Sequence, residues 1–231
     1  VLNEGIDSIP QYAFVGAYIY GLELPDSVTS IGTYAFYVQN NTEFNVNRMS
    51  NAITTMNKYS FYHPVFKTDV DFSSLTFSSN NCIGFAQYEG IVDFGNNTNG
   101  GSTLYFGQFF NQCNSCKTLI LPSRNVTYAH TTISGKVDNL YIPSMVNFCA
   151  STFSGTGSPA LYAQTLYTKA PNSNEYVQIT NFNPSNWFIS SIPAYAFYGC
   201  KAITGYDATS IKDHNTYSFY GTGIKTLKLD N

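Results

Sequence analysis

The stretch IPQYAFVG, residues 9–16, returns near the other end of the chain as IPAYAFYG, residues 192–199, with six of eight letters unchanged. Internal repetition of this kind is typical of a solenoid, in which each unit buries its apolar face only against neighbouring units. The residues that align with the phenylalanine of this phrase are called anchors: Phe14, Phe36, Phe61, Phe85, Phe110, Ile133, Phe153, Phe197 and Phe219. Apart from one gap of 44, the anchors are 20 to 25 residues apart, which predicts about nine coils.

Each unit has the same internal order. An apolar residue stands five positions before the anchor, a small residue directly before it, and a glycine often two positions after it. We expect a positive φ at those glycines, as a tight corner requires: Gly16, Gly135, Gly155, Gly199 and Gly221. A short alternating run such as LEL at 22–24 then indicates a half-buried strand. Six anchor rings are therefore predicted to be buried in one file: Phe14, Phe36, Phe61, Phe110, Phe197 and Phe219.

Two longer phrases carry a resemblance to a known family. LELPDSVTSIGTYAF at 22–36 and SIPAYAFYG at 191–199 resemble the BspA-like leucine-rich repeat family, and every unit outside about 157–190 fits the pattern. The resemblance implies an α/β leucine-rich-repeat solenoid, mostly β with short helical turns, wound as a right-handed superhelix with a parallel sheet on its concave side. It also implies a secreted or cell-surface protein that adheres to host or matrix molecules, and it brings no catalytic residues.

The domain organisation predicted from the repeat is one solenoid over residues 1–231. Residues 157–190 contain the only tryptophan, Trp187, and break the pattern as an irregular excursion, a degenerate coil with a long loop, or a linker between two solenoid blocks. We expect the chain to be a fragment of a longer protein, whose other parts would carry any anchor to the cell surface.

Composition narrows the classes of partner. The chain is 43% hydrophobic, enough for a core, while only 11% is charged, against roughly 25% in ordinary soluble domains. A net charge of −3 without any basic run argues against nucleic acid, which needs a dense basic stripe. No apolar run approaches the roughly 20 residues that span a bilayer. We expect a non-catalytic binding module without a cofactor.

The pair Cys113 and Cys116 forms a C-x-x-C motif, which is also compatible with redox or zinc chemistry. Cys113 and Cys200 each follow their anchor by three residues, however, and buried thiols behave as small apolar groups. We therefore predict packed, reduced cysteines. His214 takes the slot that holds Ile192 in the preceding unit, which predicts a packed histidine.

The middle residues of the alternating runs are predicted to point away from the core in one row: Glu23, Asn45, Asp71, Asp93, Ile120, Tyr141, and beyond the irregular stretch Asp207 and Lys228. Ile120 and Tyr141 are apolar, adjacent and outward, and such residues tend to mark contact sites. The hypothesis is that Asp71, Asp93, Ile120 and Tyr141 bind the partner, a host or matrix protein or a glycan. The alternative is that residues 161–187 fold back over Ile120 and Tyr141.

The acidic residues on this face allow a second reading. Asp69 and Asp71, two apart on one strand, are compatible with a carbohydrate-active domain, and with Glu43 and Asp93 on flanking coils they are compatible with calcium binding. Acids on the outer face of a solenoid are usually only solvated. A flat, open acidic face without a cleft around the carboxylates would leave no place to hold a sugar ring, whereas a groove lined by tyrosines would favour the carbohydrate-active alternative.

Overall fold

The short alternating runs become the strands of a solenoid of about eight turns in the computed structural model. The structure describes residues 2–38, 42–76, 81–95, 97, 103–105, 107–110, 112–129 and 135–229. One continuous apolar core runs through these residues, from Ile9 to Ala208. Alternation places every second side chain of each run against this core, which is why a stack of such short strands is stable.

The long sheet contains nine strands and forms one side of the stack. Every neighbouring pair is parallel because each coil enters the sheet in the same direction, except that β18 pairs antiparallel with β17. The strands are β2 (Gly21–Glu23), β5 (Phe44–Arg48), β8 (Pro64–Phe66), β9 (Val70–Asp71), β11 (Gln87–Asp93), β13 (Ser115–Ile120), β15 (Lys136–Ile142), β17 (Ala163–Lys169) and β18 (Tyr176–Gln178).

Five smaller sheets, also parallel, lie along the rest of each turn. They comprise β1 (Ser8–Ile9), β3 (Ser30–Ile31) and β6 (Thr55–Met56); β4 (Phe36–Tyr37), β7 (Phe61–Tyr62) and β10 (Ile83–Gly84); β12 (Thr103–Tyr105), β14 (Thr127–Ala129) and β16 (Thr152–Phe153); β19 (Asn181–Phe182), β21 (Gly205–Asp207) and β23 (Thr226–Lys228); β20 (Ser191–Ile192) and β22 (Asp213–His214).

Helical structure is confined to short turns. These are α1 (Gly107–Phe110), α2 (Met145–Cys149) and 3₁₀ turns at Gly155–Gly157, Pro159–Tyr162 and Pro184–Trp187. The sequence SMVNFC explains α2: the Ser144 hydroxyl caps the helix by accepting the Asn147 N–H at 3.2 Å, and three apolar side chains face the core, from Met145, Phe148 and Cys149. The mostly β fold with short helical turns is as the repeat predicts.

The anchor rings form the centre of the core. Phe36, Phe61, Phe110 and Phe197 are fully buried, whereas Phe14 and Phe219, in the outermost described coils, are partly exposed. The rings of Phe14 and Phe36 are stacked with their centroids 5.2 Å apart, and those of Phe36 and Phe61 are stacked with their centroids 5.1 Å apart. Burying one such ring contributes roughly 1.5–3 kcal/mol.

One anchor differs from the prediction. Ile83 lies opposite Phe61, so Ile83 is the anchor of that coil and Phe85 is not. Phe85 instead stacks on His63 with ring centroids 4.6 Å apart. Gly84 is a small residue directly before Phe85, so Phe85 matched the pattern of an anchor. The true anchor, Ile83, lies two residues earlier, so the spacing from Phe61 is two residues shorter than predicted. Ile133 lies outside the described residues.

The corner glycines agree with the prediction at four of the five positions. The glycines at 16, 155, 199 and 221 have positive φ, as expected, but Gly135 does not. A Cβ atom at Gly135 would lie 2.1 Å from the Asn114 carbonyl oxygen, so this glycine is needed for close approach of two coils. The corner tyrosines are themselves left-handed, with φ of 47° to 62°: Tyr12, Tyr34, Tyr59, Tyr195 and Tyr217.

Residues 157–190 contain regular structure. They supply β17, which continues the long sheet in register, and then β18, which turns back along β17. Trp187 follows in a 3₁₀ turn, where its indole N–H donates to the Lys169 carbonyl at 3.0 Å. The antiparallel strand ends the long sheet, and the next strands, β19, β21 and β23, form a sheet of their own.

Candidate functional site

The strand register aligns four side chains across neighbouring coils. Asp71 lies opposite Asp93, Asp93 opposite Ile120, and Ile120 opposite Tyr141. The residues one position earlier are buried in the core: Val70, Val92, Leu119 and Leu140. Because neighbouring side chains of a strand point to opposite faces, the four lie on the solvent face of the long sheet. We call Asp71, Asp93, Ile120 and Tyr141 the outer row.

The other residues predicted for this row lie elsewhere. A register irregularity after Leu22 places Glu23 opposite Arg48, and Asn45 lies opposite Val65, in a different line. Asp207 and Lys228 do lie opposite each other, but in the separate sheet beyond β18. Bulges and an antiparallel strand depend on long-range pairing, so the alternating runs alone could not indicate them.

Two tyrosines extend the outer row. Tyr167 lies opposite Tyr141, and the two rings stack with their centroids 4.6 Å apart. The ring of Tyr176 in β18 packs edge-on against the Tyr141 ring, with an interplanar angle of 88° and centroids 4.9 Å apart. The run LYT at 166–168 repeats the alternation of LYI at 140–142 and could have revealed Tyr167. Segment 161–187 thus contacts Tyr141 through Tyr176.

A groove of about 270 Å³ lies at the acidic end of the outer row. Ile91, which is 38% exposed, forms part of its apolar wall. Among the described residues the groove is lined by Asn51, Asp69, Val70, Asp71, Ile91, Asp93 and Ile120. None of these is a tyrosine, so the feature that would favour the carbohydrate-active alternative is not found in this part of the chain.

Backbone hydrogen bonds fix the two aspartates of the outer row. The Oδ1 atom of Asp71 accepts the Ser73 N–H at 2.7 Å, and that of Asp93 accepts the Gly95 N–H at 2.6 Å. Both are turns in which an aspartate accepts the N–H two residues on. Burial raises the pKa of Asp93, and the neighbouring charge of Asp71 raises this pKa further. The carboxylates are thus held in place at the strand ends.

The remaining acids of this face, Asp69 and Glu43, make hydrogen bonds to neighbouring coils. Asp69 reaches the next coil, where its Oδ1 accepts the Ile91 N–H at 2.8 Å, and Glu43 accepts the side-chain amide of Gln87, which lies on a different line of the sheet. In the described parts of the chain, no group of three or more His, Cys, Asp or Glu side chains is placed to hold a metal ion.

The C-x-x-C motif is part of the core. Cys113 donates its backbone N–H to the Phe110 carbonyl and Cys200 donates to that of Phe197, both at 3.0 Å, so the two occupy the same slot. Cys116 lies between Tyr88 and Val137 in a buried line of the sheet. All five cysteines are buried. Burial raises the pKa of Cys113 to about 12 and that of Cys116 well above its ordinary value.

His214 lies opposite Ile192, as its slot predicts, but its side chain is exposed. Its Nε2 atom is 2.6 Å from the Tyr206 hydroxyl. A hollow of about 570 Å³ opens beside it, lined by Phe219, Leu227 and Leu229 among others. The hollow lies at the C-terminal end of the described core stack.

Comparisons with known proteins identify the repeat. The family model described as the BspA type leucine rich repeat region matches residues 1–107 and 165–231 in six copies. The unmatched coils therefore span 108–164, where α2 lies, and not the predicted 157–190. No curated protein and no solved structure matches the chain. No helix in the described residues is long and apolar enough to cross a membrane. The chain belongs to the BspA-type leucine-rich repeat family.

Proposed function

We propose that the chain is a binding module of a secreted or cell-surface protein and that it contacts a host or matrix molecule through the outer row. Repeats of the BspA type occur in surface proteins, and solenoids of this kind are typically non-catalytic. The single observation that carries the proposal is the register that aligns Asp71, Asp93, Ile120 and Tyr141 on the solvent face of one rigid sheet.

The outer row combines charged side chains at one end with apolar side chains at the other, and this combination supports the proposal. Two fixed carboxylates lie at one end, and Ile120 and Tyr141 continue the row with apolar side chains that are only half-buried. Interfaces commonly combine aromatic or aliphatic anchors with polar groups at their rim. The sheet holds these groups in place, so little conformational entropy is lost when a partner binds.

The test is a binding screen of the purified chain against glycans and matrix proteins, followed by the double variant Ile120→Ser/Tyr141→Ser. Loss of binding is expected. Stability should fall only by about 1–3 kcal/mol, since two aromatic contacts of Tyr141 are lost. The matched control is Tyr18→Ser/Tyr20→Ser, which removes rings that are 84% and 90% exposed away from the outer row. Undiminished binding by the outer-row variant would overturn the proposal.

A further inference from the structure

The groove carries negative charge that the protein does not neutralise itself. Asp69, Asp71 and Asp93 line it, and none of the three takes part in a salt bridge within the described residues. No lysine or arginine lines the groove in this part of the chain. Three basic side chains elsewhere, Arg48, Lys67 and Lys228, are paired with other acids.

The strand register makes this charge costly. Asp71 and Asp93 lie directly opposite each other on neighbouring parallel strands, which are about 4.8 Å apart. Like charges in that position are destabilising. Each carboxylate has one oxygen fixed by a backbone N–H, so neither can turn freely away from the other. A positive charge placed between them would convert the repulsion into attraction.

The apolar wall suits the stem of a long basic side chain. Ile91 and Ile120 lie on the solvent face next to Asp93, and Ile91 is 38% exposed. Lysine and arginine bury their methylene stems along apolar surface while the charged head reaches polar groups, and a guanidinium can bind carboxylates through paired hydrogen bonds. The aromatic side of the row suits a sugar less well, because one face of Tyr141 is already stacked on Tyr167.

We propose that the groove receives an arginine- or lysine-bearing segment of a protein partner, with the cationic head between Asp71 and Asp93 and the stem on Ile91 and Ile120. This rests on the proposed function, since it names the chemistry of the partner that the same face binds. Charge complementarity selects this occupant over a glycan.

The first experiment uses short peptides as probes. A ten-residue Gly/Ser peptide with two arginines is compared with the same peptide carrying neutral citrulline, by fluorescence anisotropy and by ¹H–¹⁵N NMR of the chain. We expect binding of the arginine peptide alone, with shifts concentrated at residues 91–93 and 120. Equal binding of both peptides, or shifts spread over the whole surface, would overturn the proposal.

The second experiment removes the charges without removing the turns. In Asp71→Asn/Asp93→Asn the amide oxygens still accept the Ser73 and Gly95 N–H groups, so folding should be retained. We expect the affinity for the arginine peptide to fall about tenfold or more. The matched control, Asp7→Asn/Asp213→Asn, makes the same change in net charge at exposed sites outside the groove lining and should alter the affinity less than twofold.

The partner found in the binding screen is used to distinguish a failure of this inference from a failure of the proposed function. If Ile120→Ser/Tyr141→Ser abolishes its binding and Asp71→Asn/Asp93→Asn does not, the face is the binding site but a cationic partner is excluded. If neither variant weakens binding, the proposed function fails as well. Shifts of the same residues on adding calcium chloride alone, with no response to the arginine peptide, would assign the groove to a metal ion and overturn the proposal.

Discussion

The ring of Phe197 stacks on that of Phe219 with centroids 5.3 Å apart and planes inclined by 13°. Phe197 also contacts Phe148, from a preceding coil, and Phe182, and it is fully buried. It thus joins the last described coils to the rest of the core.

Replacing Phe197 by alanine should therefore cost about 3–5 kcal/mol of unfolding free energy, because the cavity would be enclosed between packed coils. Phe219→Ala is the matched control and should cost clearly less, since that ring is partly exposed. Chemical denaturation of both variants measures the difference. Equal losses would show that the anchor file does not extend across this junction.

The thiols of the chain should resist modification in the native state. Cys113 and Cys116 are almost fully buried, and their raised pKa values leave little thiolate at neutral pH. An aromatic disulfide reagent at pH 8 should label them slowly in native protein and label all five cysteines rapidly in denaturant. Labelling of Cys116 within seconds under native conditions would contradict its place in the core.

His63 should make the protein less stable in mild acid. Its Nε2 atom is buried without a hydrogen-bond partner, its ring lies against Tyr62 and Phe85, and burial lowers its pKa below the ordinary value of 6.5, although nearby Glu43 opposes the shift. The unfolded chain therefore binds a proton at a higher pH than the folded one. The contribution of His63 is fully present above about pH 6.5 and is lost as the pH falls from there towards the lowered pKa.

His63→Phe should flatten this part of the pH dependence. Unfolding free energies of both proteins are measured by urea denaturation between pH 8 and pH 5, and the difference between the two curves isolates His63 from other titrating groups. At pH 8 the histidine is neutral in both states and serves as the reference. Parallel curves down to pH 5 would show that His63 accepts a proton in the folded protein without cost.

Gly135 should be intolerant of any side chain. A Cβ atom there would meet three backbone atoms of the preceding coil, which cannot move aside as a flexible side chain could. Gly135→Ala should cost about 1–3 kcal/mol or more through overpacking. Gly155→Ala is the control: its φ is +55°, but nothing lies within 4 Å of the added atom, so only backbone strain is introduced. Thermal unfolding compares them, and a smaller loss at Gly135 would argue against close coil contact.

Much of the architecture can be predicted from the sequence because every coil of a solenoid repeats the same short sequence pattern. The phrase YAF, or YSF at 59–61, places the rings of Phe36, Phe61 and Phe197 correctly, since each coil needs only its neighbours for its packing. The same logic places Cys113 and Cys200 in one slot and aligns Asp71 with Asp93. Period-two alternation predicts the four residues of the outer row, although it also assigns Glu23 and Asn45 to the same row.

The local sequence pattern does not predict which residues lie opposite each other where the number of residues between two paired positions changes from coil to coil. Ile83 replaces Phe85 as the anchor because strand pairing, and not the identity of the ring, determines which residue faces Phe61. A similar shift after Leu22 removes Glu23 from the outer row. One residue of slippage moves a side chain to the other face of a sheet, so such errors are large.

The sequence by itself determined the repeat, the mostly β solenoid, the buried thiols and the line from Asp71 to Tyr141, because all of these depend on contacts between adjacent coils with a regular period. Only the tertiary structure decided that β18 turns back along β17, that Tyr176 reaches Tyr141, and that Asp69, Asp93 and Ile91 share one groove. These features depend on a reversal of strand direction and on the spacing of side chains across three coils, which no local pattern specifies.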